Sequence, residues 1–146
     1  MANTPKTAAD VMTRNPRTVS PDTPVREAAQ LMRSEDTGVL PVVDASSKRP
    51  IGVVTDRDLV LRVLAEGRTD ARVSDAMTPN AHTARAGDDL SQVMDLMARE
   101  QIRRIPIVDD RGELVGIIAQ ADIVLEADDK RAEQTVEAIS RPGGGR

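Results

Sequence analysis

An internal repeat constrains the fold of this chain more than any single residue does. With a shift of 65 positions, identical residues coincide in two long windows: Asp10, Met12, Thr13, Asn15, Thr18, Leu31, Met32, Glu35, Pro41, Val43 and Asp44 each recur. With a shift of 64, four more residues recur further along: Gly52, Asp58, Val60 and Leu61. Identities at such regular spacing indicate two copies of one structural unit. Two copies related by a pseudo-two-fold axis form two similar clefts where they meet, and such clefts are common ligand sites.

The composition excludes several classes of function. The 146 residues include no Phe, Trp or Tyr, so no aromatic ring is available for the base stacking on which single-strand binding depends. The formal net charge of -4 disfavours a duplex-binding surface, which requires excess positive charge. With no Cys and one His, the chain has no thiol nucleophile and no His-rich metal site. We therefore expect neither nucleic-acid binding nor a metal centre nor a permanently bound cofactor.

The hydropathy pattern predicts no membrane segment. No apolar run reaches the roughly 20 residues of a spanning helix, and the first residues lack the charged and then apolar order of a signal peptide. We therefore expect a cytoplasmic protein.

Each repeat is predicted to contain a short lead-in, a helix, two strands and a second helix. Thr23 is expected to cap the first helix, with Pro24 at its first position, where a missing N–H costs nothing. Val39–Val43 and Arg104–Val108 are nearly continuous apolar runs typical of strands covered on both faces. The following strands, 51–55 and 114–118, lead directly into helices at 56–65 and 120–127.

These elements predict an α/β fold of the α+β kind, with two tandem repeats that each pair a small sheet with flanking helices. The predicted boundaries are 8–66 for repeat one, 67–129 for repeat two and 130–146 for a C-terminal helix (131–139) followed by a disordered tail.

The residues with the clearest chemistry follow the second strand of each repeat. Gly52 would allow close approach to the backbone, and Thr55 with Asp56 leads into a helix whose free N–H groups favour phosphate. Asp58, an acceptor-only carboxylate, suits the vicinal hydroxyls of a ribose. The alternative is purely structural: Thr55 or Asp56 caps the helix and Asp58 complements its dipole. Recurrence of the acid as Asp122 favours the ligand reading.

The tandem pattern of Met-Thr, apolar-Pro-Val-Val-Asp and Gly-Val-Val-Thr-Asp-Arg-Asp resembles the CBS domain pair, or Bateman module. The resemblance covers about residues 8–129 and is greatest to small stand-alone bacterial proteins of the hypoxic-response type. It implies that an adenosyl nucleotide such as AMP, ADP or ATP binds between the repeats, with the motif Asp on the ribose and the motif Thr near ribose or phosphate.

The resemblance also assigns residues to two sites. In this family the lead-in of one repeat often lines the site marked by the other repeat's Asp, and basic residues before the first apolar strand often meet phosphates. The first site would therefore comprise Thr55, Asp56, Asp58, Met77, Asn80 and His82, and the second Asp122, Asn15, Arg17, Arg103 and Arg104. Adenine would pack on aliphatic side chains, namely Val53, Val54, Ile117 and Ile118. Because Ala119 has no hydroxyl, we expect the Thr55–Asp58 site to be the better ribose site.

Three functions remain open at this stage. The first is a ligand sensor that passes nucleotide binding to a regulated protein partner as a conformational change. The second is an interaction or dimerisation module with vestigial sites. An enzyme is disfavoured, because no nucleophile–base pair or metal cluster is visible. We also expect a homodimer through apolar helical faces, whose residues are Met32, Val60, Leu64, Met94 and Met97.

Overall fold

The computed structural model describes residues 6–79 and 82–126. The first repeat contains α1 (Ala8–Val11), β1 (Thr13–Arg14), α2 (Val25–Glu35), β2 (Val39–Val43), β3 (Pro50–Thr55), α3 (Asp56–Asp58) and a π-helical segment (Leu59–Leu64). The second contains α4 (Val73–Ala76), β4 (Thr78–Pro79), β5 (Ala84–Arg85), α5 (Leu90–Glu100), β6 (Arg104–Val108), β7 (Leu114–Ala119) and α6 (Gln120–Glu126). The order of helices and strands is nearly the same in the two copies, as the repeat predicts.

The chain packs as two compact units that do not coincide with the two repeats. Among the described residues, the Asp58 unit comprises 15–79 and 111–114. The Asp122 unit comprises 6–14, 82–110 and 115–126. Each unit thus takes its lead-in from the other repeat. The boundaries drawn at residues 66 and 129 describe the sequence repeats and stay a prediction.

The Asp58 unit is built on a three-stranded antiparallel sheet in the order β2–β3–β4. Strand β4 belongs to the lead-in of repeat two and pairs with β3. In this pairing Pro79 lies opposite Gly52, and Thr78 lies opposite Val53. The core beneath the sheet combines α2, the strands and α4, with Leu40, Val42 and Val54 fully buried or nearly so.

The Asp122 unit repeats this plan with a four-stranded sheet in the order β1–β7–β6–β5. Strand β1, from the lead-in of repeat one, runs antiparallel to β7, whereas β5 runs parallel to β6. Met97, Ile105 and Ile118 are fully buried in its core.

A glycine at the same position of each repeat lies directly against the lead-in of the other repeat, which we call the exchanged lead-in. A Cβ on Gly52 would lie 2.5 Å from the carbonyl oxygen of Thr78, and a Cβ on Gly116 would collide with the Met12 side chain and lie 2.9 Å from the Thr13 carbonyl oxygen. The close approach expected at Gly52 is therefore made by a neighbouring strand.

The helices differ from the predictions at three points. Pro24 is the N-cap of α2 and the helix begins at Val25, while the Thr23 hydroxyl accepts the backbone N–H of Ser20 at 3.0 Å. The helix predicted at 56–65 starts with one α-helical turn and continues as the π-helical segment. Ala65 N–H donates to the Val60 carbonyl at 2.8 Å, five residues back.

The apolar faces assigned to a dimer contact also need correction. Met32, Met94 and Met97 are 7%, 2% and 0% exposed, because they pack inward in the two cores. Val60 and Leu64 do remain at the surface, as expected.

Two sequence expectations concern the chain's C-terminal part and its relation to a membrane. The helix and tail predicted at 130–146 lie outside the described residues and stay a prediction. Within the described residues, no helix combines the length and apolarity needed to cross a bilayer.

The turn between β2 and β3 is organised by one carboxylate. The Oδ1 atom of Asp44 accepts the Ser46 hydroxyl at 2.7 Å and the backbone N–H groups of Ser46 and Ser47 at 2.9 and 3.0 Å. The Ser46 hydroxyl, followed by the Ser47 and Ser46 N–H groups, lowers the pKa of Asp44 to about 2.

Replacing Gly52 should weaken the whole Asp58 unit. We expect Gly52→Ala to lower the free energy of unfolding by about 1–3 kcal/mol, because the added methyl group forces β4 away from β3. Gly87→Ala is the matched control, since nothing lies within 4 Å of a Cβ there. Urea unfolding followed by far-UV circular dichroism measures the stability of both variants. Equal stabilities of Gly52→Ala and Gly87→Ala would contradict the close contact between Gly52 and β4.

Asp44→Asn should change how stability depends on pH. Because folding lowers this pKa from 3.8, the carboxylate stabilises the protein above about pH 4, and that stabilisation is lost as the pH falls towards 2. The stability difference between wild type and Asp44→Asn should therefore narrow from pH 5 to pH 2 in urea titrations. Ser46→Ala, which removes one donor, should reproduce part of this behaviour, whereas parallel pH profiles for all three proteins would contradict it.

Candidate functional site

Thr55 and Asp58 join the end of β3 to the start of α3 through reciprocal hydrogen bonds. The Thr55 hydroxyl accepts the backbone N–H of Asp58 at 3.1 Å, and Oδ2 of Asp58 accepts the backbone N–H of Thr55 at 2.9 Å. This is a capping box closed by an aspartate, and it satisfies two N–H groups at the helix start. The capping alternative raised from the sequence is therefore realised.

Capping does not use every hydrogen-bonding position of these two side chains. The cap occupies Oδ2 of Asp58, while Oδ1 lies 4.0 Å from Nε of Arg62. The Thr55 hydroxyl accepts in the cap and retains its own proton for donation. Among the fully described residues, Asp58 is the one charged residue that is buried, with 9% of its surface exposed. A carboxylate so enclosed has a fixed orientation, as a hydrogen-bonding site for hydroxyl groups requires.

Arg62 is a residue of this site that the sequence reasoning missed. Its Nη1 donates to the carbonyl oxygens of Ala76 and Met77, at 3.2 and 3.1 Å. The same side chain therefore contacts the exchanged lead-in and approaches the motif acid. The four-residue spacing between Asp58 and Arg62 is a signal that could have found it.

The second copy has the same acid in the same role. Oδ2 of Asp122 accepts the backbone N–H of Ala119 at 2.9 Å, which reproduces the bond between Asp58 and Thr55. Ala119 offers no hydroxyl, so this copy lacks the reciprocal half of the cap. Because both acids cap helices, the recurrence of Asp122 has a structural explanation and does not by itself favour a ligand.

The same hydrogen bond, from a backbone N–H to the side chain of an aspartate three residues later, recurs in the lead-ins. The backbone N–H of Thr7 donates to Asp10 and that of Arg72 to Asp75, at 2.8 and 2.9 Å. These bonds are the main cause of the lowered pKa of each carboxyl. Acids at this spacing are thus a general capping device of the chain.

The four aliphatic residues assigned to adenine differ in how much of their surface is exposed. Val54 and Ile118 are completely buried in the two cores, because alternate residues of a strand face opposite sides of the sheet. Ile117 is 7% exposed, and Val53 is half-buried beside β4. Val53 is therefore the residue of this group that is most accessible to a ligand.

The lead-in residues assigned to the first site have different positions. Met77 lies in the Asp58 unit, where its carbonyl oxygen binds Arg62. Asn80 is outside the described residues. His82 belongs to the Asp122 unit, and its Nε2 lies 3.3 Å from Oε1 of Glu100.

The residues assigned to the second site are also divided. Asn15 and Arg17 belong to the Asp58 unit, and Arg17 pairs with Glu35 at 3.5 Å. The lead-in residues that share a unit with Asp122 end at Arg14. The structure therefore does not place Asn15 or Arg17 in one compact unit with Asp122.

Backbone groups of the polar residues near the two helix starts form hydrogen bonds. Asp56 N–H donates to the Gly38 carbonyl at 2.9 Å, and Gln120 N–H donates to the Arg103 carbonyl at 2.8 Å. The side chains of Asp56 and Arg103 are exposed, and Arg104 is half-buried at the start of β6. Both arginines belong to the Asp122 unit, so their positive charge is found in that copy and not at the equivalent Gly38 and Val39.

Within the described residues, no group of three or more His, Asp or Glu side chains is arranged to hold a metal ion. The arrangement around Asp58 instead offers an oriented carboxylate, a hydroxyl donor and an adjacent guanidinium. These groups suit a neutral polyol or a phosphorylated sugar.

Comparison with known proteins identifies relatives of the same architecture. The CBS domain family model matches residues 8–65 and again residues 73–129. The CBS domain-containing protein YhcV of Bacillus subtilis is 40% identical over 117 residues, which cover 80% of this chain and 81% of YhcV. Hypoxic response protein 1 of Mycobacterium tuberculosis is 31% identical over 138 residues, covering 93% and 95% of the two chains.

Solved structures give the same result. The crystal structure of hypoxic response protein 1, described with two coordinated zinc ions, matches with a TM-score of 0.73 at 30% identity and covers 84% of this chain and 100% of its own. CBSX2 of Arabidopsis thaliana in complex with AMP matches with a TM-score of 0.71 at 32% identity, covering 84% and 96% of the two chains. The resemblance inferred from the motifs and the α/β fold class are confirmed: the chain belongs to the CBS domain family and carries two CBS domains in tandem.

Proposed function

We propose that this CBS pair is a regulatory module that binds an adenosyl nucleotide of the AMP, ADP or ATP type at Asp58. The observation that carries the proposal is the enclosed Asp58 carboxylate, which caps α3 with one oxygen and has its other oxygen outside the cap. The AMP complex of CBSX2 supports the choice of ligand class. On this proposal the protein senses a nucleotide and passes the signal to a protein partner, without catalysis.

The Asp58 site should bind more tightly than the Asp122 site. Thr55 can donate its hydroxyl proton to a ribose or phosphate oxygen while it caps the helix, and Ala119 cannot. One such hydrogen bond contributes about 0.5–1.5 kcal/mol, or up to roughly tenfold in affinity. The two domains therefore have similar folds and different binding chemistry.

An exposed apolar surface supports the prediction of a homodimer. Val60, Leu61 and Leu64 on the π-helical segment are 51%, 47% and 65% exposed. Val60 and Leu64 also line a groove of about 430 Å³ with Val25, Ala29, Leu59 and Val63. Apolar side chains gathered in this way are typical of an interaction surface. The same surface is the observation that favours the alternative function, an interaction module whose nucleotide sites are vestigial.

Asp58→Asn provides the sharpest test of nucleotide binding. The amide oxygen of Asn can still accept the Thr55 N–H, so the cap is kept while the charge and one strong acceptor are lost. We expect AMP affinity to fall roughly tenfold to a hundredfold, the range for hydrogen bonds to a charged group. Equilibrium dialysis with labelled AMP measures this without intrinsic fluorescence, which a chain lacking Trp and Tyr cannot provide.

Asp122→Asn is the matched control and should have the smaller effect. Equal losses in the two variants would contradict the difference between the sites. Failure of AMP, ADP and ATP to bind the wild type at millimolar concentration would contradict the proposed function and favour the interaction module. Denaturing the purified protein and examining the supernatant by mass spectrometry would identify any nucleotide that it carries.

Leu64→Glu should convert the predicted dimer into a monomer. A charge at the most exposed of the three residues would have to be buried without a partner at the interface. Sedimentation velocity at micromolar concentration measures the change, with Ala45→Glu in an exposed turn as the control. A monomeric wild type, or a Leu64→Glu variant that still dimerises, would show that this surface is not the interface.

A further inference from the structure

Arg62 is placed between the motif acid and the exchanged lead-in of the Asp58 unit. Its Nε lies 4.0 Å from Oδ1 of Asp58, the oxygen that the helix cap does not use. Its Nη1 donates to two consecutive carbonyl oxygens, those of Ala76 and Met77. The side chain is 38% exposed, so these contacts are only partly screened by water.

The two carbonyl groups belong to a helix end that needs donors. Ala76 is the last residue of α4 and Met77 its C-cap, and the final carbonyls of a helix have no intrahelical partner. A guanidinium carries several N–H donors in a fixed plane and a permanent charge. Arg62 therefore satisfies the end of α4 and places its positive charge at the negative pole of that helix.

The strand pairing of this lead-in is short. Strand β4 has two residues, and one of them, Pro79, has no N–H to donate to β3. The ladder therefore offers few bonds to residues 78–79. Further back, the N–H groups of Val73 and Ser74 donate to the carbonyls of Thr23 and Pro21. Arg62 adds the bonds to the two carbonyls between these attachments.

The equivalent position of the second copy holds a different residue. The shift of 64 that places Asp58 on Asp122 places Arg62 on Glu126. A glutamate can accept hydrogen bonds but, when ionised, cannot donate to carbonyl oxygens. An arginine at this position is therefore found in the copy that also has the Thr55 hydroxyl.

We propose that Arg62 is a positioning residue that couples the Asp58 carboxylate to the α4–β4 segment. A ligand hydroxyl that donates to Oδ1 fixes the carboxylate, the fixed carboxylate orders the guanidinium beside it, and the ordered guanidinium holds the carbonyls of Ala76 and Met77. The coupling between acid and segment stands without a ligand, and its response to a nucleotide rests on the function proposed above. Binding at Asp58 would thus tighten the segment that leads into repeat two.

Hydrogen–deuterium exchange of residues 74–78 tests the coupling in the ligand-free protein. Arg62→Met keeps most of the apolar stem and removes all donors, so we expect exchange there to be roughly tenfold faster, as for the loss of two hydrogen bonds to a partly exposed charged group. Arg62→Lys should restore part of the protection, since it keeps a charged donor. Arg57→Met, at an exposed position of α3, is the control and should match the wild type.

Asp58→Asn and the double variant Asp58→Asn/Arg62→Met separate coupling from simple anchoring. If the carboxylate acts through Arg62, Asp58→Asn speeds exchange at 74–78 in the wild type and adds little in the Arg62→Met background. Additive effects, or unchanged exchange in Arg62→Met, would overturn the inference.

The same measurement with AMP distinguishes the inference from the proposed function. We expect AMP to slow exchange at 74–78 in the wild type and not in Arg62→Met. AMP binding with equal protection in both proteins would overturn the coupling. If the single and double variants show coupling without ligand but AMP does not bind, the link between Asp58 and residues 74–78 is upheld and the nucleotide function is contradicted.

Discussion

In each compact unit a strand glycine lies in close contact with a lead-in from the other repeat, and this contact allows the two strands to pair. Gly52 admits the Thr78 carbonyl, and Gly116 admits Met12 and the Thr13 carbonyl. These contacts complete both sheets and build each compact unit from parts of the two repeats. The lead-in that Gly52 admits also carries the Ala76 carbonyl to which Arg62 donates, and Arg62 in turn approaches Asp58.

Much of the architecture could be predicted from sequence periodicity. The repeat indicated the order of elements, and the apolar runs predicted β2 and β6 with the bounds that the structure has. Pro24 was misplaced by one position because proline is compatible with both the first helical residue and the cap. The hydrophobic pattern at 56–65 predicted a regular helix and did not indicate that Leu59–Leu64 is π-helical.

The candidate site could be predicted only in part, because one residue type serves two purposes. An aspartate three residues after a strand end is equally expected in a helix cap and in a ribose site, and the structure shows the cap at Asp58. The dimer residues Met32 and Met97 were misassigned since helical spacing does not say which face meets the core. Partners brought together by long-range packing, such as Arg62 and the Met77 carbonyl, leave no local sequence pattern.

The exchange of lead-ins has a consequence for the origin of the chain. A solitary repeat would expose the edge of β3 or β7 at its glycine, with an unpaired ladder that invites another strand. Two separate copies could satisfy those edges by domain swapping, and fusion of their genes would make the swap permanent within one polypeptide. In such a fused chain, each copy depends on the lead-in of the other to complete its sheet.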